Sequence, residues 1–242
     1  MEIRIFATHE EVARAAAQCV ADAVRDRPHL VLGLPAGQTP VPVYAELRRL
    51  YQAGQVDLSR IICFTLDEFV GLERTHPGSF HRFMTDNLFS GVNVDDARVH
   101  SLNGAPSDVD AECDRYEAAI TSAGGIDLQI VGLGTNGHIG FNEPGEALVS
   151  ATHRVVLHAE TRRDNAARFD GDLARVPREG LSMGIGTILK AKTILMIATG
   201  EAKANPVEQM VRGPVTTRVP ASFLQLHRNA ELFLDRAAAG RL

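Results

Sequence analysis

Apolar residues follow two alternating rhythms along this chain: short unbroken runs, and longer stretches in which they return every three or four positions. Unbroken runs suit strands buried on both faces, and the longer period suits amphipathic helices. Thr8 and Glu11 form a capping box, after which Val12, Ala16, Cys19, Val20 and Ala23 share one helical face to about Arg27. His29-Leu30-Val31-Leu32 reads as the first central strand and runs into Gly33-Leu34-Pro35-Ala36-Gly37-Gln38-Thr39-Pro40. There Thr39 suits an N-cap and Pro40 a first helical residue, which turns Val43, Tyr44, Leu47 and Leu50 inward. Ile61 to Thr65 is a second strand, Phe80 to Phe89 a helix, Val99 to Leu102 a short strand, and Ser107 to Ser122 a helix with Ser107 as its cap.

Ile126 to Val131, Arg154 to Leu157, Thr193 to Ala198 and Ala230 to Leu234 read as further strands, and Gly184-Ile185-Gly186-Thr187 opens another helix. With no internal repeat, low-complexity tract or long linker, this alternation predicts one α/β domain over residues 1–242. Its architecture is a doubly wound, mostly parallel sheet with helices on both faces, Rossmann-like in plan.

Composition narrows the partners. Hydrophobic residues make up 45% of the chain and charged ones 23%, with a net charge of −5, so no electrostatic reason points to nucleic acid or a membrane surface. No apolar run reaches the roughly 20 residues of a membrane span. Met1-Glu2-Ile3-Arg4-Ile5-Phe6 lacks the layout of a secretory signal, and Cys19, Cys63 and Cys113 are odd in number and far apart. Both features fit a cytoplasmic chain with reduced thiols.

The chemistry gathers where strands end. Gly132-Leu133-Gly134-Thr135-Asn136-Gly137-His138-Ile139-Gly140-Phe141-Asn142-Glu143-Pro144 follows a buried strand and carries two proton-moving groups, His138 and Glu143. In open parallel sheets the binding crevice lies outside such strand ends. The turn at Gly33–Pro40 leads from a strand to a helix N-terminus, which suits either phosphate or a plain connection. Asp67 and Glu68 close the second strand as candidate acid/base carboxylates or as a solvated pair, and Gly71 to Ser79 reads as an exposed loop able to act as a lid. His76 and His81 near these carboxylates show no ligand spacing that supports a metal, and none is expected.

Thr161 to Phe169 is an arginine-rich stretch in which only Arg168, between Ala167 and Phe169, points inward. Lys203 falls in a first helical turn, where a cation opposes the helix dipole unless an anion lies nearby, so it is a candidate phosphate ligand. Gly132 to Gly137 matches GxGxxG in form, but no helix start or acidic strand end follows at the required distance, and no nucleotide cofactor is expected.

Four segments together, Phe64 to Leu72, the glycine loop through Glu143-Pro144, Gly184 to Thr187 and Leu224-Gln225-Leu226-His227, resemble the glucosamine-6-phosphate deaminase family over nearly the whole chain. The resemblance implies ring opening, aldose–ketose isomerisation and deamination of glucosamine 6-phosphate to fructose 6-phosphate and ammonia, without cofactor or metal. It also implies roles: His138 for ring opening, Asn136 and Glu143 orienting it, Asp67 moving the C2 proton, and Arg168, Lys203, Gly37, Gln38 and Thr39 holding the phosphate. The sister 6-phosphogluconolactonases carry Asp-Glu-Arg at the first site, where Phe69 stands here, and a different ending to the second loop, where Phe141-Asn142-Glu143-Pro144 stands. A lactonase is the enzymatic alternative, and a non-catalytic sugar-phosphate sensor the other.

Three departures stand out. Asn136 replaces an aspartate found in part of the family. Ala36 and Gln38 replace a Thr and a Gly or Ser in the phosphate loop, which removes a hydroxyl donor. The chain also stops soon after its last strand, whereas longer relatives that form allosteric hexamers extend further, so the expectation is a non-allosteric monomer or low-order homo-oligomer.

Overall fold

A computed structural model describes residues 1–242. Its strands are β1 (Glu2–Phe6), β2 (Val31–Leu34), β3 (Ile62–Thr65), β4 (Asp67–Phe69), β5 (Val99–His100), β6 (Leu128–Gly132), β7 (His153–Val156), β8 (Glu179–Ser182), β9 (Thr193–Ala198) and β10 (Ala230–Asp235). The helices are α1 (His9–Asp26), α2 (Val41–Gln52), α3 (Phe80–Asn87), α4 (Val109–Ser122), α5 (Ala159–Asp164), α6 (Ile185–Leu189) and α7 (Ala204–Arg212). No helix is long and apolar enough to cross a membrane.

Seven strands form one sheet in the order β1-β10-β9-β6-β2-β3-β5, and every pairing in it is parallel. Alternation along the strands shows that both faces are buried. In β9, Leu195 and Ile197 join a core with α1, α2 and α3, while Ile194, Met196 and Ala198 join one with α4, α6 and α7. Each core holds 27 buried residues, so the sheet is covered equally on both sides, as a doubly wound fold requires. From β2 the chain steps outward through β3 to β5, then returns to the other side of β2 as β6. The loops after β2 and β6 therefore open at the point where the strand order reverses.

Three local expectations change. Glu2–Phe6, whose alternation of charged and apolar residues suits a half-exposed strand, lies at the sheet edge beside β10. Asp67–Phe69 leaves the main sheet and pairs antiparallel with β8, which in turn pairs with β7, giving a second, three-stranded sheet. Thr39 does not cap α2: the Val41 N–H goes to the Gln38 carbonyl at 3.2 Å, and Pro40 takes the cap position with no side-chain bond. Asp108, not Ser107, caps α4 by accepting from the Ala111 N–H at 3.1 Å. Thr8 behaves as expected, accepting from Glu11 N–H at 3.3 Å.

The small sheet lies over an aromatic cluster in which Phe69 meets Phe80, Phe141 and Phe169 with ring centroids 4.7–5.6 Å apart. This packing fixes β4, and with it Asp67, against the glycine loop and α3.

Candidate active site

The two loops at the switch point enclose a cleft of about 410 Å³, completed by Asp67, the end of α5 and the start of α7. Gly37, Gln38, Thr39, Asp67, His138, Arg168 and Lys203 all line it. Asn136 and Glu143 stand behind His138 and reach the cleft only through it. A larger hollow of about 540 Å³ beside the 71–79 loop contains none of these residues.

The turn after β2 forms one wall. The backbone N–H groups of Gly37, Gln38 and Thr39 make no hydrogen bond within the protein, and α2 starts with no acidic residue in its first turn. Because Thr39 is not spent on a cap, its hydroxyl also stays available at this anion-favouring end. Opposite, the Lys203 ammonium has no carboxylate within 4 Å, and burial lowers its pKa while Asp164 opposes that. Arg168 donates to the Ser79 carbonyl at 2.9 Å, with its guanidinium 5.0 Å from the Phe80 ring and 4.4 Å from the Phe83 ring. Burial lowers its pKa, with Glu68 and Asp67 pulling the other way.

His138 is built by its own loop. A Cβ on Gly134 would lie 2.3 Å from the imidazole, so only glycine lets the ring fold over that strand end. Its Nδ1 lies 2.7 Å from Asn136 Oδ1, and Asn136 Nδ2 donates to Glu143 Oε2 at 3.0 Å. A carboxylate only accepts, which fixes the amide's orientation; the amide oxygen then takes the Nδ1 proton and leaves Nε2 as the lone-pair nitrogen. Burial lowers the His138 pKa, partly offset by the Glu143 carboxylate 3.7 Å from Nδ1. The departure at Asn136 therefore matters less than the sequence suggests, because Glu143 supplies charge across space.

Asp67 closes the floor at 6% exposure, with Oδ1 buried and unpaired. Burial raises its pKa well above the carboxylate range, Glu68 adds to the rise, and Arg168 opposes it. Gly140, at φ +57°, brings the glycine loop alongside: a Cβ there would sit 3.7 Å from Asp67 Oδ2 and 3.0 Å from Ser182 Oγ. Glu68 is no partner in this chemistry. It turns away and accepts from the Phe69, Phe80 and His81 N–H groups at 2.8–2.9 Å, anchoring the start of α3.

His76 and His81 also go elsewhere. His76 Nδ1 accepts from Gly78 N–H, His81 Nδ1 faces Ser101 and Arg74, and no three His, Cys, Asp or Glu side chains are grouped to hold a metal ion. Three residues of the site escape a reading by sequence. Asp164 and Thr135 line the cleft, and the His158 N–H donates to Glu143 Oε1 at 3.0 Å. Asp164 falls in a polar, arginine-rich stretch that periodicity assigns to a solvated face.

Comparison with known proteins gives this geometry its context. The family described as glucosamine-6-phosphate isomerases/6-phosphogluconolactonase matches residues 6–233. A glucosamine-6-phosphate deaminase of Clostridium perfringens (strain ATCC 13124) is 45% identical over 239 residues, 99% of this chain and 98% of its own length. One from Thermoanaerobacter sp. (strain X514) is 43% identical over 99% of this chain and 94% of its own. Among solved structures, one described as a monomeric glucosamine-6-phosphate deaminase superposes with a TM-score of 0.97 at 40% identity, covering all of both chains. This chain belongs to the family of glucosamine-6-phosphate isomerases and 6-phosphogluconolactonases.

Proposed function

We propose that the cleft opens, isomerises and deaminates glucosamine 6-phosphate, giving fructose 6-phosphate and ammonia. One observation carries the reading: a buried, unpaired carboxyl and an oriented imidazole line the same cleft as an unpaired lysine at a helix start. In this reading the phosphate lies between the Gly37–Thr39 turn, Lys203 and Arg168. The sugar then extends toward Asp67 and His138.

His138, neutral at Nε2, takes the anomeric hydroxyl proton as the ring oxygen gains one, and the C1–O5 bond breaks to give the open aldehyde. Asp67 then removes the C2 proton. Its raised pKa makes it a stronger base than an ordinary aspartate, and its unpaired oxygen is free to receive the proton. The electron pair forms an enolamine across C1 and C2 as the aldehyde oxygen takes a proton from the neighbouring 2-ammonium group. Returning the proton to C1 leaves a C2 iminium, which water converts to the ketone as ammonia departs. Every step moves protons between carbon, oxygen and nitrogen, so no oxidant or metal enters the scheme. Glu143 and Asn136 hold His138 in the tautomer that the first step needs.

The full-length similarity at 43–45% identity to chains named glucosamine-6-phosphate deaminase supports the same activity. The lactonase reading has less behind it: the 6-phosphogluconolactonase from Thermotoga maritima has a TM-score of 0.73 but 20% identity, and shares only the fold. Ammonia release in a coupled assay with both 2-amino epimers is the test. Rapid hydrolysis of 6-phosphogluconolactone without ammonia release would favour the sister activity, and thermal stabilisation by sugar phosphate with no product would favour a sensor. We place the enzyme in the cytoplasm as a monomer or low-order homo-oligomer, in keeping with the relative described as monomeric.

A further inference from the structure

The scheme above leaves one charged group in the cleft unused. Asp67 and Asp164 are the only carboxylates that line it. Asp164 ends α5 at the solvent-exposed rim, and its Oδ2 accepts from the Thr135 hydroxyl at 2.9 Å. Thr135 belongs to the glycine loop, three positions before His138. Asp164 forms no ion pair, its one side-chain bond being to Thr135, although its charge acts on both His138 and Lys203. The carboxylate is thus held in place without being neutralised. Apart from helping to keep the buried Lys203 charged, a fixed anion at the rim of a phosphate cleft suits a ligand that also carries a positive charge. Asp67 is a poor counter-ion for such a charge, since burial favours its protonated form and the scheme needs its free oxygen for the C2 proton.

We infer that Asp164 receives the protonated 2-amino group of the substrate and so selects amino-sugar phosphates over neutral sugar phosphates of the same length. The inference rests on the proposed function and adds a specificity-determining residue to it. A ligand with a phosphate at one end and an ammonium four carbons away matches the lining of the cleft, with free N–H groups at the β2 turn, cations at Arg168 and Lys203, and an anion at the end of α5. Thr135 sets the direction of the carboxylate.

Calorimetry with two unreactive open-chain ligands, 2-amino-2-deoxyglucitol 6-phosphate and glucitol 6-phosphate, tests this on the intact protein. The wild type is expected to bind the amine about tenfold more tightly, the equivalent of about 1.4 kcal/mol. In Asp164→Asn the ratio falls to within about twofold, because the amine binds more weakly while the neutral ligand binds as well or better. Thr135→Val keeps the charge but frees it, and retains part of the preference. Three outcomes would overturn the inference: no preference in the wild type, an unchanged ratio in Asp164→Asn, or equal weakening of both ligands in both variants, which would mark Asp164 as a clasp between α5 and the loop. The ratio is read without turnover, so absence of ammonia from wild-type protein with glucosamine 6-phosphate would count against the proposed function and leave this measurement intact.

Discussion

Two aspartates at opposite ends of the central sheet are buried to nearly the same degree, Asp127 at 8% exposure and Asp67 at 6%, yet their surroundings are opposite. Asp127 precedes β6 at the amino end of the sheet. Its carboxylate accepts from Val31 N–H at 2.9 Å and from Lys192 at 2.7 Å, and also pairs with Arg27. Burial pushes its pKa up, but the Lys192 bond, the Val31 N–H and the two cations outweigh burial and hold it below the usual value. Asp67, beyond the carboxyl end of β3, keeps an unpaired oxygen and a raised pKa. A satisfied carboxylate contributes to the fold, whereas an unsatisfied one weakens it and stays reactive. The amino end of this sheet is built for stability and the carboxyl end for chemistry.

The sharpest way to break the contrast is to remove each charge. Asp67→Asn is expected to lower kcat for ammonia release by at least ~100-fold, and His138→Gln to do the same. Near-normal turnover in both would remove the scheme. Asp67→Asn should also gain stability at pH 7, by about 1 kcal/mol, since the penalty of a buried unpaired charge disappears. The sign follows from the raised pKa: the folded state holds its proton more tightly, so the penalty is absent below the unfolded pKa of about 3.9 and grows as pH rises toward the folded value. Chemical denaturation at pH 4 and pH 7 checks this, and the gain should appear only at the higher pH.

Asp127→Asn is the mirror image. It should cost about 2 kcal/mol of stability while kcat and KM stay within about twofold of wild type, because the half-exposed Arg27 and Lys192 lose a partner without being buried alone. Here the folded pKa is lowered. The stabilisation is therefore present above the unfolded pKa and lost as pH falls through the folded one, so the two proteins should begin to converge below about pH 4 and match only below the lower, folded value. A stability loss that persists in strong acid would mean that packing, not the charge, holds this end together.

The same division explains what could be read from the letters. β3, β6 and β9 sit inside a sheet covered on both faces, so burial makes them mostly apolar runs, broken in β6 only by the buried Gln129. β1 is an edge strand, and β8 packs glycine against Phe141 where a Cβ would lie 2.5 Å from the ring, so neither shows that pattern. That Asp67 and His138 face one cleft was legible because strand ends, a glycine loop and a family resemblance all pointed to them. The split between Asp67 and its neighbour was not: Glu68 faces away because β4 alternates its side chains and three N–H groups at α3 wait on the other side. Thr39 fits a cap by type, and only the competing Gln38 carbonyl shows why it is left free. Asp164 depends on where α5 ends, which no local pattern fixes.

The mildest substitution tests how charge reaches the carboxyl end. Asn136→Asp keeps the shape and places a carboxylate where an amide oxygen now lies 2.7 Å from His138 Nδ1. A second negative charge favours the imidazolium, so the acid limb of the kcat/KM profile should move to higher pH. The substitution also sets two carboxylates together where Asn136 Nδ2 now donates to Glu143 at 3.0 Å. The pair must share a proton or separate, which loosens the hold on the ring, and activity at pH 7 should fall by about two- to fivefold. Glu143→Gln removes charge instead and should shift the acid limb the opposite way, since Glu143 is the group that raises the His138 pKa against burial. Opposite shifts in the two variants would show that the amide transmits orientation while Glu143 supplies charge. If neither limb moves, the imidazole does not set the pH dependence, and the contrast between the two ends of the sheet rests on Asp67 alone.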